Sequence, residues 1–305
     1  MLSLSKRRIL RTALRFKYSD SWRIKWWLKD ESLTAVAQSI ARAVTDITNK
    51  SVPPNIKILK LNERKAVFQI KNSHNSRQSY VAKTFFLNRF EHRFKYHRYG
   101  LDEAANLITA RDKNINTPKV YGYGHINDLL GFVKINTIIL EDLPNLSPIG
   151  ALMCAKSHKE HSELFMRTIP LFVSLYRAGC NHIDVNNGAV MLAEDNANPK
   201  VYLLDFQHSK FYDKPSTEIL MFEAGHFVNS CRNWISNKTI NEWLDKLLTL
   251  IGITSNAEVQ RLKKRFKYYA EADLTRKHRK TLTGQKEISS PAQIPQVKSS
   301  SKRKC

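Results

Sequence analysis

The stretch GCNHIDVNNGAVML, residues 179–192, and its sequel VYLLDFQHS, residues 201–209, decide how this 305-residue chain reads. Asp184 follows His182-Ile183 just after a long apolar segment, and Asp205 closes a strand-like run 21 residues later. Two carboxylates in this order suit phosphate transfer to a hydroxyl. One orients the attacking hydroxyl and accepts its proton, and the other holds Mg²⁺ on the phosphates of ATP. Such chemistry also needs a lysine to anchor those phosphates. Val81-Ala82-Lys83 supplies one on a strand, and Glu103, on the next helix, is placed to hold it.

Taken singly, each residue has a plainer reading. His-x-Asp is a common triplet, Asp205 could form a turn, Lys83 could be an exposed strand lysine, and Glu103 could simply favour the helix dipole in a first turn. The order of all four in one chain argues for the chemistry.

Working outward, three strand-like runs, IKILKL (56–61), KAVFQIK (65–71) and YVAKTFFL (80–87), read as an antiparallel meander joined by polar turns. Before them, Leu33, Val36, Ile40, Val44 and Ile47 recur at helical spacing behind the caps Asp30 and Ser32, and the helix ends before Pro53-Pro54. A helix is expected over about 102–113, then two or three strands in KVYGYG, LLGFVKI and TIILEDL. The second half opens on a helix over about 159–178 with Pro170 as a kink. Two short strands follow, AVML and VYLLDF, and then helices from Ser216 to Ala272. The coarse plan is α+β, with a β-rich first lobe and a mainly helical second one.

Over roughly residues 60–210, the series VAK, EAANL, INTPKVYGYG, IILEDLPN, GCNHIDVNNGAVML and VYLLDFQHS resembles the lipopolysaccharide kinase family, the Kdo and heptose kinases. The resemblance implies a bilobal protein-kinase-like fold with ATP and Mg²⁺ as cofactors. It matches Lys83 to the phosphate-anchoring lysine, Glu103 to its ion-pair partner, Asp184 to the catalytic base and Asp205 to the metal ligand. Ile139–Leu143 becomes the hinge that holds adenine, with Glu141 and Leu143 as its nucleotide contacts.

Two positions depart from the pattern. Ala189 stands five residues after Asp184, where kinases of this fold carry an Asn or His at the metal. Asn186 or Asn187 would have to serve instead, and Asn187 is assigned beside Asp205. The second departure is the nucleotide-covering turn, Asn62-Glu63-Arg64-Lys65, which contains no glycine.

Between Lys83 and Glu103 lies FFLNRFEHRFKYHRYG, where Arg89, Arg93, Lys95 and Arg98 alternate with aromatics. It reads either as a solvated loop or as a platform for an anionic glycolipid or lipopolysaccharide core acceptor.

The formal net charge is +23, and most of it sits at the ends: nine Lys/Arg against two Asp over 1–30, nine against one Glu over 276–305. Clustered charge points to an anionic partner. The aromatic-basic segment from Trp22 to Leu28 suits a lipid headgroup boundary, or equally packs on the folded body. Nucleic acid is not expected as a specific partner, since the basic excess forms no reading motif.

Four cysteines without close spacing imply reduced thiols and no zinc site, and no apolar run approaches the roughly 20 residues of a spanning helix. The expected setting is cytoplasmic, peripheral on the inner face of a bacterial inner membrane. The expected segments are an N-terminal helical extension (1–50), a first lobe with hinge (51–145), a second lobe (146–275) and a basic disordered tail (276–305).

Overall fold

The computed structural model describes residues 2–49, 51, 56–71, 78–193, 200–275 and 278–279. It forms two compact units, Met1–Asp112 with Thr117–Pro144, and Lys113–Asn116 with Asn145–Cys305.

The first unit is built on a seven-stranded antiparallel sheet of β1 (Phe16–Ser19), β2 (Ile24–Leu28), β3 (Ile56–Asn62), β4 (Lys65–Lys71), β5 (Ser79–Phe86), β6 (Val120–Asn127) and β7 (Val133–Glu141). The spatial order is β1-β2-β6-β7-β5-β4-β3. The alternation in KAVFQIK sends Ala66, Phe68 and Ile70 to one face, and helix α2 (Thr34–Thr48) lays Val36, Ile40 and Val44 over that face.

The N-terminal 50 residues differ from the expected helical extension. After α1 (Leu2–Ala13) the chain forms β1 and β2, and β2 pairs with β6 along Ile24–Leu28. The aromatic segment therefore packs in large part on the body: Trp26 and Leu28 are buried, Trp27 stacks on Tyr123 with ring centroids 5.9 Å apart, and Trp22 alone of the three stays 61% exposed. Gly124 makes room for Trp26, because a Cβ there would lie 2.3 Å from the indole.

The strand expected at LLGFVKI merges with the next one into β7, and Leu129-Leu130-Gly131 forms a turn instead. Gly131, at φ +84°, takes the left-handed conformation that a strand cannot. Two helices, α3 (Phe90–Tyr96) and α4 (Tyr99–Asp112), connect β5 to β6, and α1 packs along α4 with Leu10 buried and Lys6 3.6 Å from Asp102.

The second unit holds short strands β8 (Leu146–Pro148), β9 (Cys180–Asn181), β10 (Val190–Ala193), β11 (Val201–Leu203) and β12 (Lys210–Phe211). Its helices are α5 (Ile149–Ala155), α6 (His158–Met166), α7 (Ile169–Arg177), α8 (Thr217–Cys231), α9 (Asn237–Leu250) and α10 (Asn256–Glu271). The helix expected over 159–178 is two, divided at Arg167-Thr168. Pro170 sits in the first turn of α7, where its missing N–H costs nothing. Trp243 centres the core, fully buried between Phe165 and Phe172, and its Nε1–H donates to Thr168 Oγ1 at 3.0 Å. The tail beyond Arg279, and the turns at 72–77 and 194–199, lie outside the described residues.

Candidate functional site

In the first unit, Lys83 lies on β5 between Val67 of β4 and Ile138 of β7, and its side chain faces α4, opposite to its neighbours Ala82 and Thr84. Its ammonium is ion-paired with Glu103 of α4, and both side chains are nearly inaccessible to water. Burying two charges is costly, so the pair persists only because each neutralises the other. The surface-lysine reading of Lys83 is thereby excluded.

The turn Asn62–Lys65, which contains no glycine, is closed by a side chain. The Asn62 Oδ1 accepts the N–H groups of Arg64 and Lys65 at 3.0 and 2.9 Å, so the side chain closes the turn. Those two amides are already engaged, which leaves the exposed side chain of Arg64 as the cation this turn offers an anion.

At the far end of β7, Glu141 exchanges contacts with Lys119: its N–H donates to the Lys119 carbonyl at 2.8 Å, and its carboxylate accepts the Lys119 N–H at 3.0 Å. Glu141 thus ties β6 to β7. Leu143 follows, half-buried, just before the chain passes into the second unit.

Of the four cations after Lys83, two are structural. Arg93 donates to the Leu87 carbonyl at 3.2 Å and pairs with Asp128, while Arg98 reaches Asp102 one turn on at 3.2 Å. Arg89 and Lys95 stand at the surface.

In the second unit, Asp184 lies on a loop braced from beneath. His182 is fully buried, with its Nε2 2.8 Å from the Leu204 carbonyl and its ring edge-on to Phe206. Leu204 also donates its N–H to the Ala189 carbonyl at 3.0 Å, so the segment leading into Asp205 is tied to the Asp184 loop at both its N–H and its C=O. Ile183 and Asp205 both adopt left-handed backbone, at φ +62° and +63°. For a β-branched residue this conformation is strained by about 1–3 kcal/mol, and it persists where surrounding structure over-determines it.

That structure includes Glu223, which sequence reading missed. It is buried on α8 and accepts the backbone N–H of His182. Burial pushes its carboxyl up to about 8, against the lowering effect of the N–H groups of His182 and Ile183. Its only signal in the sequence was a lone acid in the apolar run ILMFEAGHF. His226, one turn further along α8, was missed too. Burial lowers its imidazole to about 4, with the charge of Arg279 acting in the same direction.

The two asparagines after Asp184 serve the loop. Asn186 donates to the Asp184 carbonyl at 2.8 Å and accepts the Gly188 N–H at 2.9 Å, and Asn187 binds Ser230 through both its N–H and its side-chain amide, at 2.9 and 2.8 Å. Ala189 puts a buried methyl group where a ligand would be needed. Among the described residues no cluster of three or more His, Cys, Asp or Glu could hold a metal ion.

Asp184 itself is met by the chain's own Arg279. The guanidinium Nη2 lies 2.6 Å from Asp184 Oδ1, and Nη1 donates to the Leu274 carbonyl at 2.6 Å. The side chains of this pair are only 14% and 16% exposed.

No family model and no curated protein matches the sequence. Among solved structures, WaaP in complex with acyl carrier protein is similar over 70% of this chain and 87% of that one, at 13% identity and a TM-score of 0.51. The fold is protein-kinase-like. The Cydia pomonella granulovirus kinase PK-1 is similar over 74% of this chain and 79% of that one, at 14% identity and a TM-score of 0.36, too loose to bear on the fold.

Proposed function

We propose that this chain is a kinase that transfers the γ-phosphate of ATP to a sugar hydroxyl of an anionic glycolipid, a lipopolysaccharide core or lipid A precursor bearing Kdo or heptose. The observation that carries the reading is the buried Lys83–Glu103 pair in a chain of protein-kinase-like fold. A sheet lysine kept in place by a helix carboxylate is what anchoring nucleotide phosphates requires.

In this reading Asp184 accepts the proton of the attacking hydroxyl, and Asp205 holds Mg²⁺ with the phosphates. Lys83 steadies those phosphates, and Glu141 and Leu143 border the adenine. Asn187, assigned to the metal from sequence, is better placed to anchor its loop to Ser230. The acceptor would lie at a membrane, and a peripheral position on the inner face of the inner membrane follows from it. The acyl carrier protein found with WaaP makes a protein partner for this chain part of the same reading.

A second reading is favoured by the methyl group at Ala189 and by the engaged amides of the 62–65 turn: a pseudokinase that binds nucleotide and serves as a scaffold. One experiment separates the two. Purified protein is incubated with labelled ATP and either lipid A precursors or core oligosaccharides, and the phosphate is located by mass spectrometry, with Asp184→Asn as the control. The kinase reading expects a phosphorylated sugar and a loss of about 10²–10⁴ in turnover in the variant. Nucleotide binding without transfer to any acceptor supports the scaffold.

A further inference from the structure

Among the described residues nine large apolar side chains are exposed, and four of them belong to α3 and the β6–β7 turn: Phe90, Phe94, Leu129 and Leu130. Apolar residues scattered singly over a surface need no explanation, but a concentration does. The most exposed are Leu129 and Leu130, at 77% and 76%, side by side at the tip of the turn.

This tip is stiff. Asp128 Oδ1 accepts the N–H groups of Leu130 and Phe132, both at 2.9 Å, the Asp128 N–H donates to the Phe132 carbonyl at 2.8 Å, and Gly131 donates back to the Asp128 carbonyl at 3.1 Å. The other carboxylate oxygen of Asp128 pairs with Arg93, which joins the turn to α3. Beside it, Phe132 lies 5.5 Å from Phe90 and 5.0 Å from Phe94 between ring centroids, so the aromatics of α3 and the leucine tip form one surface. Asn88 donates to the Glu63 carbonyl at 3.3 Å and draws in the turn that carries Arg64. Around these groups, exposed Arg64, Arg89 and Lys95 outnumber exposed Glu63 and Glu91, the latter 4.0 Å from Arg89.

We propose that this end of the first unit is a membrane-docking surface. Leu129, Leu130, Phe90 and Phe94 enter the boundary between headgroups and acyl chains of an anionic bilayer, and the surrounding cations meet the lipid phosphates. Three properties favour a bilayer over a protein partner. The leucines project from the tip of a turn instead of lining a groove, their turn is already ordered so that insertion costs little chain entropy, and the basic rim matches anionic headgroups. The surface deepens the glycolipid reading above and rests on it for its purpose, since an acceptor embedded in a bilayer must be reached at the bilayer. It also relocates the membrane contact expected from sequence, away from the Trp22–Leu28 segment whose Trp26 is buried in the sheet.

The test uses the full chain and sedimentation with vesicles, without nucleotide or acceptor. Wild-type protein is expected to bind vesicles of equal parts phosphatidylcholine and phosphatidylglycerol, and phosphatidylcholine alone more weakly. The variant Leu129→Ser/Leu130→Ser should lose binding by roughly tenfold or more on both, given what burying two leucines contributes. Arg89→Glu/Lys95→Glu should lose only the advantage of the anionic lipid. These exposed positions leave the thermal unfolding midpoint unchanged. Wild-type binding by the Leu129→Ser/Leu130→Ser variant overturns the proposal, as does a wild-type dimer, lost in that variant, in a protein that binds neither vesicle. Phosphate transfer to a water-soluble core oligosaccharide is read separately. It should survive Leu129→Ser/Leu130→Ser, whose residues have no part in nucleotide or acceptor binding, so failure of the docking surface and failure of the kinase reading give different results.

Discussion

Lys83 and Glu103 show how a single ion pair can be tested for structure and for function at once. Removing either partner leaves the other charged and buried, at a cost of about 3–5 kcal/mol, whereas replacing both by apolar groups of similar volume is close to neutral. Lys83→Met should therefore destabilise the first unit strongly, and Lys83→Met/Glu103→Leu should recover most of that loss in denaturant unfolding. If the lysine serves nucleotide phosphates, ATP affinity stays lost in the double variant. Recovery of both stability and nucleotide binding would reduce the pair to a structural one. Arg279 permits a comparable test on the other carboxylate. If Asp184 is the base of the proposed kinase, its carboxylate Oδ1 is occupied by the chain's own Arg279 guanidinium and must be released before it meets an acceptor hydroxyl. Arg279→Ala should thus raise turnover several-fold with little change in nucleotide affinity, and an unchanged or lower rate would assign Arg279 to acceptor binding instead.

At the scale of elements, the second unit depends on a close approach between helices. A Cβ at Gly225 of α8 would sit 2.5 Å from Tyr269 Cβ and 2.9 Å from the Ala270 backbone nitrogen on α10. Neither atom is at the end of a flexible chain. Gly225→Ala should therefore cost about 1–3 kcal/mol by forcing the two helices apart, despite the better helix propensity of alanine. A stabilised variant would show that the helices can separate cheaply.

Much of this architecture was readable in advance where periodicity was strong. The meander of β3, β4 and β5 and the helix α2 were expected from alternation and 3.6-residue spacing, and both are observed within a residue or two. Of the four residues singled out from the sequence, the structure pairs Lys83 with Glu103, and it links the segment before Asp205 to the Asp184 loop through the Leu204 backbone. What local pattern could not convey was tertiary commitment. LLGF has strand composition, yet Gly131 and the Asp128 carboxylate make it a turn. Arg93 and Arg98 look like free cations until Asp128 and Asp102 appear beside them. Glu223 and Arg279 act on the Asp184 loop from 39 and 95 residues away in the chain, beyond the reach of any local rule.

For the whole molecule, these buried groups set the dependence of stability on pH, and their signs differ. His125 in the first unit and His226 in the second are both lowered by burial from 6.5 to about 4. Their native forms bind fewer protons than the unfolded chain between those values, so stability is complete above pH 6.5 and falls as the pH drops toward 4. Glu223 behaves oppositely. Burial raises it from 4.5 to about 8, the native state holds the extra proton, and stability falls as the pH climbs through that interval. From 4.5 to 6.5 two histidines oppose one carboxyl and the net slope is upward, while from 6.5 to 8 the carboxyl acts alone and the slope turns down. The thermal midpoint should therefore peak near pH 6.5. Because Glu223 belongs to the second unit, the decline on the alkaline side should appear in that unit's transition if the two unfold separately. Glu223→Gln keeps an oxygen for the His182 N–H but cannot ionise, so it should flatten the curve between 6.5 and 8 while leaving the acid limb intact. A midpoint that holds steady or rises from pH 6.5 to 8 in the unaltered protein would mean that Glu223 is ionised where it is buried, and that the loop carrying Asp184 is held by a charge instead of by a neutral acid.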